Sequence, residues 1–246
     1  NPPRWYHELF CAATGRPSDV APSIYQAVPP EPLVHMTAAE YIVAAVGRAA
    51  GLPVAERTAT HSVFRNPDAA PRCLIVRHAR EINGDLATLN ALVQRDASGA
   101  IRGLDLRREL ILPVGSPRPP PESTAPAIDL DRAEYERLGP NHVRLRAWLK
   151  SPGWLLVLDS YAPGWRATAA GRALPLVRAD HAFMAVPLPS GRHTVDLVYR
   201  PASFVAGAWI SAAALAALNA WALALAWLSF RARRRAHPVA PRNTAT

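Results

Sequence analysis

A mainly β fold is predicted: an antiparallel β-sandwich, preceded by a small mixed α/β unit and followed by one transmembrane helix. Three observations predict it. Between Trp154 and Pro201, short apolar or alternating runs are separated by the turn signals Ala162-Pro163-Gly164, Ala170-Gly171 and Ser190-Gly191, the pattern of consecutive antiparallel strands. From His142 to Lys150, Val143, Leu145, Ala147 and Leu149 fall on one face, while His142, Arg144, Arg146, Trp148 and Lys150 fall on the other. From Ser203 to Phe230 no residue is charged, a run longer than the roughly 20 residues that cross a bilayer core as a helix.

The elements follow in chain order. Residues 1–32 are rich in proline and small residues, with Trp5, Tyr6, Leu9 and Phe10 as their apolar cluster, and predict irregular chain with a short helical turn. Thr37-Ala38-Ala39-Glu40 has capping-box spacing ahead of an apolar run to Gly51, so helix is the local reading. Tyr41, Ile42 and Val43 suit a strand equally, and the type stays open. Thr58–Phe64 and Arg72–Val76 read as a strand pair joined by the turn-rich Arg65-Asn66-Pro67-Asp68. Asp85 is placed to cap a helix carrying Leu86, Leu89, Leu92 and Val93 at helical spacing, and Leu110–Val114 reads as a further strand.

Residues 1–113 therefore form the α/β unit, and the proline-dense residues 114–126 a linker, since proline cannot donate to a sheet ladder. Residues 127–202 form the sandwich, with six or seven strands. Trp154–Leu158 is apolar on both faces, as a strand inside a packed sandwich is. Val195, Leu197 and Tyr199 share a face opposite Thr194 and Asp196. Residues 203–230 span the membrane, with Trp209 and Trp227 near the two ends where indoles favour the interface. The arginines after Phe230 place residues 231–246 in the cytoplasm by the positive-inside bias, and residues 1–202 outside it. Asn219 in mid-membrane is costly against lipid and is expected to face another helix. The chain opens at Asn1 without the parts of a signal peptide, and is expected to be processed or to be a piece of a longer protein.

The net charge of +9 is almost wholly arginine, and it is uneven. Arg231, Arg233, Arg234, Arg235 and Arg242 follow Pro201 with no acid among them, which leaves about +4 for the rest of the 246 residues. Nucleic acid is accordingly not an expected partner; the membrane is. Cys11 and Cys73 occur in no metal-binding spacing, and either pair or lie buried, with Cys73 reading as a small core residue of Cys73-Leu74-Ile75-Val76. No zinc-protease, nucleophile-elbow, P-loop or dinucleotide-loop motif is present in the sequence. No catalytic residue, metal site or cofactor is assigned. Asp180-His181 reads as a pair of solvated turn residues and not as a catalytic dyad, because neighbours in a strand point to opposite faces.

The cluster that invites a function is Asp159, Tyr161, Trp165 and Arg166 around the Pro163-Gly164 turn. An aromatic face, a carboxylate and a guanidinium suit a sugar, which offers C–H faces for stacking and hydroxyls for charge-assisted hydrogen bonds. The structural alternative packs Trp165 into the core and has Asp159 accept backbone N–H groups of its own turn. The face formed by His142, Arg144, Arg146, Trp148 and Lys150 suits anionic headgroups or polymer, or is simply solvated.

These residues resemble the C-terminal region of the YfhO-type bacterial membrane proteins, which are placed with the polyprenyl-phosphate-sugar-dependent GT-C glycosyltransferases. The resemblance lies in Leu156–Ser160, Ala162–Ala167, Gly171-Arg172, Val186–Val195 and Tyr199–Pro201, with a second match at Phe64-Arg65-Asn66-Pro67 and Pro71–Val76. It implies an extracytoplasmic domain and last helix of a larger polytopic protein of the cell membrane, whose catalytic carboxylate lies in a part not contained here. Envelope polysaccharide or a polyprenyl-phosphate sugar is then a partner of the parent through that part. It assigns no catalytic residue to this chain. The alternatives are a single-pass sandwich binding envelope glycan, and a structural domain with no ligand.

Overall fold

The computed structural model describes residues 8–12, 36–45, 52–97, 105–121 and 129–236. The chain divides into two compact units, Asn1–Tyr199 and Arg200–Thr246. In the first, a helical turn at residues 8–12 precedes β1 (Tyr41–Ala45), β2 (Val54–Arg57), β3 (His61–Arg65), β4 (Cys73–Val76), β5 (His78–Ile82), α1 (Asp85–Leu92) and β6 (Glu109–Pro113). Eight strands follow: β7 (Arg132–Gly139), β8 (His142–Leu149), β9 (Gly153–Val157), β10 (Trp165–Ala169), β11 (Arg172–Leu174), β12 (Val177–Ala179), β13 (Phe183–Leu188) and β14 (Gly191–Tyr199). The second unit holds α2 (Ala202–Ala236). The protein is mainly β, with a small α/β part and one long apolar helix.

Two antiparallel sheets face each other. One has the order β11-β10-β14-β8-β7 and the other β12-β13-β9-β4. The alternation in β8 and β14 sends Val143, Leu145, Ala147, Leu149, Val195 and Leu197 inward. They meet Cys73, Leu155, Val157, Met184, Val186 and Leu188 from the second sheet. Each fully buried aliphatic side chain here contributes about 1.5–3 kcal/mol relative to exposure.

The second sheet has no wet face. Its opposite side carries Leu74, Val76, Trp154, Leu156, Phe183 and Ala185, packed on Leu9, Met36, Leu92 and Leu110–Leu112. The helical turn at 8–12, α1 and β6 thus make a third layer, which is why β9 and β13 are apolar at every position. Within that layer β5 and β6 pair in parallel, connected through α1. Residues from both sides of the Pro-rich stretch build the central sheet, because β4 pairs with β9 from Cys73↔Val157 to Val76↔Trp154.

Several sequence expectations change. Tyr41–Ala45 is a strand, not a helix; it pairs with β3 from Tyr41↔Arg65 to Ala45↔His61, so cross-strand packing overrides the capping-box signal. The rest of that run, residues 46–51, lies outside the described residues, as do residues 1–7 and 13–35. The strand pair joining Thr58–Phe64 to Arg72–Val76 does not form: β3 pairs with β1 and β2, while β4 pairs with β9. Asp85 does not cap α1, whose N-cap is Gly84 with no side-chain cap bond; Asp85 instead takes an ion pair from Arg178. Residues 127–202 supply eight strands rather than six or seven, and β4 adds a ninth to the two facing sheets.

The hairpin between β10 and β11 shows how turn chemistry sets register. Ala170 and Gly171, with φ of 47° and 76°, form the two-residue loop closed by the pair Ala169↔Arg172. Two positive φ values in a two-residue loop match the twist of the flanking strands, and glycine adopts them without a Cβ penalty.

In the second unit, residues Ala202–Ala232 are long and apolar enough to cross a membrane. Only Arg200 and Pro201 separate β14 from α2. Asn219 donates from Nδ2 to the Leu215 carbonyl oxygen at 2.8 Å, which satisfies part of its amide within its own helix. The Arg231 guanidinium lies 3.9 Å from the Trp227 ring centroid, a cation–π contact at the end where the arginine cluster begins.

Candidate functional site

Asp159 follows the end of β9 and its side chain is largely buried. Its Oδ1 accepts a hydrogen bond from Arg72 Nη1 at 2.8 Å, and its Oδ2 accepts one from the Tyr135 hydroxyl at 2.6 Å. Arg137 Nη2 donates to that hydroxyl at 3.2 Å and lies 3.9 Å from Asp159 Oδ2. The Arg72 guanidinium also sits 5.7 Å from the Tyr135 ring centroid. One carboxylate therefore gathers two arginines and a tyrosine from β7 and the approach to β4. Burial, and then the bond to Asp159, push the Tyr135 hydroxyl above the ordinary tyrosine range. The hydrogen bonds of Asp159 reach across the sandwich instead of closing its own turn.

The other three residues of the cluster are placed as follows. Tyr161 packs on the sandwich core and its N–H donates to the Ala182 carbonyl oxygen at 2.7 Å. Trp165 packs on the same core, opposite Tyr199 in register, with ring centroids 5.3 Å apart and planes tilted by 48°. Arg166, the next residue along β10, pairs in register with Val198 and is exposed on the opposite face. The geometry supports a structural role for Asp159 and Trp165. Arg72, Tyr135 and Arg137 are the partners that sequence reasoning misses, although Arg72 lies inside the Pro71–Val76 motif; pairing residues so far apart in the chain left no local signal.

The wet face of the first sheet is a lattice of paired charges. Asp196 accepts from Arg144 Nε and bonds His142 Nε2, each at 3.0 Å. Arg146 reaches Glu136 at 2.8 Å and Glu134 at 3.7 Å, and Arg132 reaches Glu134 at 2.6 Å. Arg132 also lies 5.5 Å from the Trp148 ring centroid. Cross-strand neighbours thus absorb much of the positive charge that the alternation in β8 displays alone.

Cys11 and Cys73 are both buried and are not bridged to each other. Burial, with Glu134 and Asp159 adding to it, pushes the Cys73 thiol up to about 12. A thiolate population lowered about a thousandfold predicts that iodoacetamide leaves Cys73 intact in the folded chain and modifies it on unfolding. Mass spectrometry of the modified peptide, with and without denaturant, checks this. Among the described residues no three histidine, cysteine, aspartate or glutamate side chains gather as metal ligands do.

Asp180 and His181 depart furthest from expectation. They are buried, not solvated, because β6 and the helical turn at 8–12 cover the turn between β12 and β13. Both have positive φ, 46° and 63°.

Residues 135–211 match the family model described as bacterial membrane protein YfhO. That stretch is similar to a YfhO region. It runs from Tyr135 in β7 through β14 into the first turns of α2, less than half of the chain. No curated protein and no solved structure matches the chain. The matched stretch contains Asp159 and Tyr135, while Arg72, which completes their network, lies ahead of it. The Phe64–Val76 motif likewise lies outside the matched residues.

Proposed function

We propose that residues 1–202 form an extracytoplasmic accessory domain of a cell-envelope membrane protein, and that α2 is the last membrane helix of a larger polytopic parent resembling polyprenyl-phosphate-sugar-dependent glycosyltransferases. The domain positions the acceptor or caps the catalytic membrane part; it does not carry the chemistry. The observation that carries this reading is the junction: the last sandwich strand of the matched region ends at Tyr199, and after only Arg200 and Pro201 the apolar span begins. Arg231 on Trp227 and the arginines beyond it favour the cytoplasm for the far end. Asn219, with half of its amide bonded inside α2, favours a neighbouring helix in the membrane. The acids that sequence singles out support an accessory role, since Asp159 ties strands together and Asp180 is sealed in the core.

Cysteine labelling tests the orientation. In spheroplasts expressing the full chain, Arg192→Cys, on the exposed face of β14, is expected to react with a membrane-impermeant maleimide, while Arg242→Cys reacts only after the membrane is opened. The buried native thiols give little background. The reverse pattern would overturn the assignment.

A further inference from the structure

The turn Asp180-His181-Ala182 fastens three parts of the first unit that are far apart in sequence. The Asp180 N–H donates to the Ile111 carbonyl oxygen at 2.8 Å, and Asp180 Oδ1 accepts the Ile111 N–H at 2.7 Å, so one residue closes a two-bond clamp on β6. His181 Nε2 lies 3.0 Å from Glu8 Oε2, which ties the helical turn at 8–12 to the same hairpin. The Ala182 carbonyl oxygen accepts the N–H of Tyr161, on the loop after Asp159. The clamp is closed but not fully satisfied. Asp180 Oδ2 and His181 Nδ1 are buried and hydrogen-bond to no protein group among the described residues. Both backbones sit in the left-handed region, which is strained without glycine and persists only where surrounding structure holds it.

We propose that this turn is a pH-sensitive latch, in which ionising Asp180 or protonating His181 releases the hairpin from β6 and from the helical turn at 8–12. A carboxylate with no exposed surface and one unbonded oxygen is poorly tolerated in the core, and its neighbour across the clamp, Glu109 on β6, is also acidic. An imidazolium would bury a second N–H on Nδ1 without an acceptor. Around His181 stand Glu8 from the helical turn and Asp85 from α1, which favour the charged ring, and Arg178 from β12, which opposes it. The closed latch therefore holds both groups neutral.

The two groups respond to pH with opposite signs. Burial raises Asp180 to about 7, so the closed form is favoured at low pH and weakens as pH rises from the ordinary aspartate value toward about 7. Burial lowers His181, so its share is fully present above the ordinary histidine value of about 6.5 and is lost as pH falls below it. In the intact chain the two responses oppose each other over most of this range.

Hydrogen exchange of the full chain in detergent micelles separates them, read at the Ile111 amide and corrected for intrinsic exchange. Asp180→Asn keeps an acceptor for that amide and removes the ionisation; its opening is expected to increase as pH falls below about 6.5 and to be level above it. His181→Gln leaves aspartate alone; its opening is expected to increase with pH, approaching tenfold per unit on the way to about 7. The Val195 amide, in the core of the other sheet, serves as a control that stays level in both. Slopes of the same sign in the two variants, or slopes equal to that of the native chain, would overturn the latch. Should Asp180→Asn not fold, His181→Gln decides alone: no steepening relative to the native chain sinks the proposal.

Discussion

Phe183→Ala is expected to destabilise the first unit by about 3–5 kcal/mol, the range for truncating a fully buried aromatic side chain. Phe183 has no exposed surface and is the largest such side chain among the described residues. It belongs to the cluster shared by the central sheet and the third layer, with Trp154, Leu156 and Leu110. A cavity there opens the interface between the central sheet and the third layer, the side of β13 on which Phe183 lies. Urea titration of the full chain in micelles, followed by tryptophan emission, reads the effect as a lower midpoint at unchanged slope. The partly exposed Leu138 on β7 supplies the comparison, since Leu138→Ala is expected to stay within about 0.5 kcal/mol. Equal losses at the two sites would contradict the three-layer arrangement.

Leu218→Arg is expected to be the most damaging single change in α2. The residue lies near the middle of the Ala202–Ala232 span, where an arginine costs about 2.5–3.5 kcal/mol for insertion. The expected result is a marked fall in the membrane-integrated fraction, measured by carbonate extraction, with Leu218→Ala close to the native chain. Unchanged extraction of Leu218→Arg would argue that α2 does not meet the hydrocarbon core at this position.

Legibility from sequence followed the number of competing partners each segment had. β8 was readable because one face is buried and the other wet, so period two is written into His142–Leu149. The apolar runs of β9 and β13 announced a strand buried on both sides, yet not what lay on each side. That information sits in Leu9 and Leu110–Leu112, which are distant in sequence. At Tyr41 a local cap signal competed with β-branched residues, and the neighbour β3 settled the outcome. Asp180-His181 misled for a related reason: polar residues in a turn read as solvated, and only the third layer reveals that no solvent reaches them. Within the candidate cluster, Trp165 and Arg166 are consecutive on β10 and face apart, a parity that the sequence already carries. Asp159 found its partners through Arg72 and Tyr135, neither of which is near it in the chain.

The pairing of β4 with β9 bears on how this protein can be divided. The Pro-rich stretch looks like a place to cut, and a fragment beginning at residue 127 would retain the whole YfhO match. It would lack β4, and with it the outer neighbour of β9 in the order β12-β13-β9-β4. The backbone N–H and C=O groups of Gly153–Val157 would then form an open edge flanked by Trp154, Leu155 and Leu156, with no charge or proline in that strand to discourage a second chain from docking there. Severing the chain at its most flexible-looking sequence would thus turn an interior strand into a template for edge-to-edge aggregation.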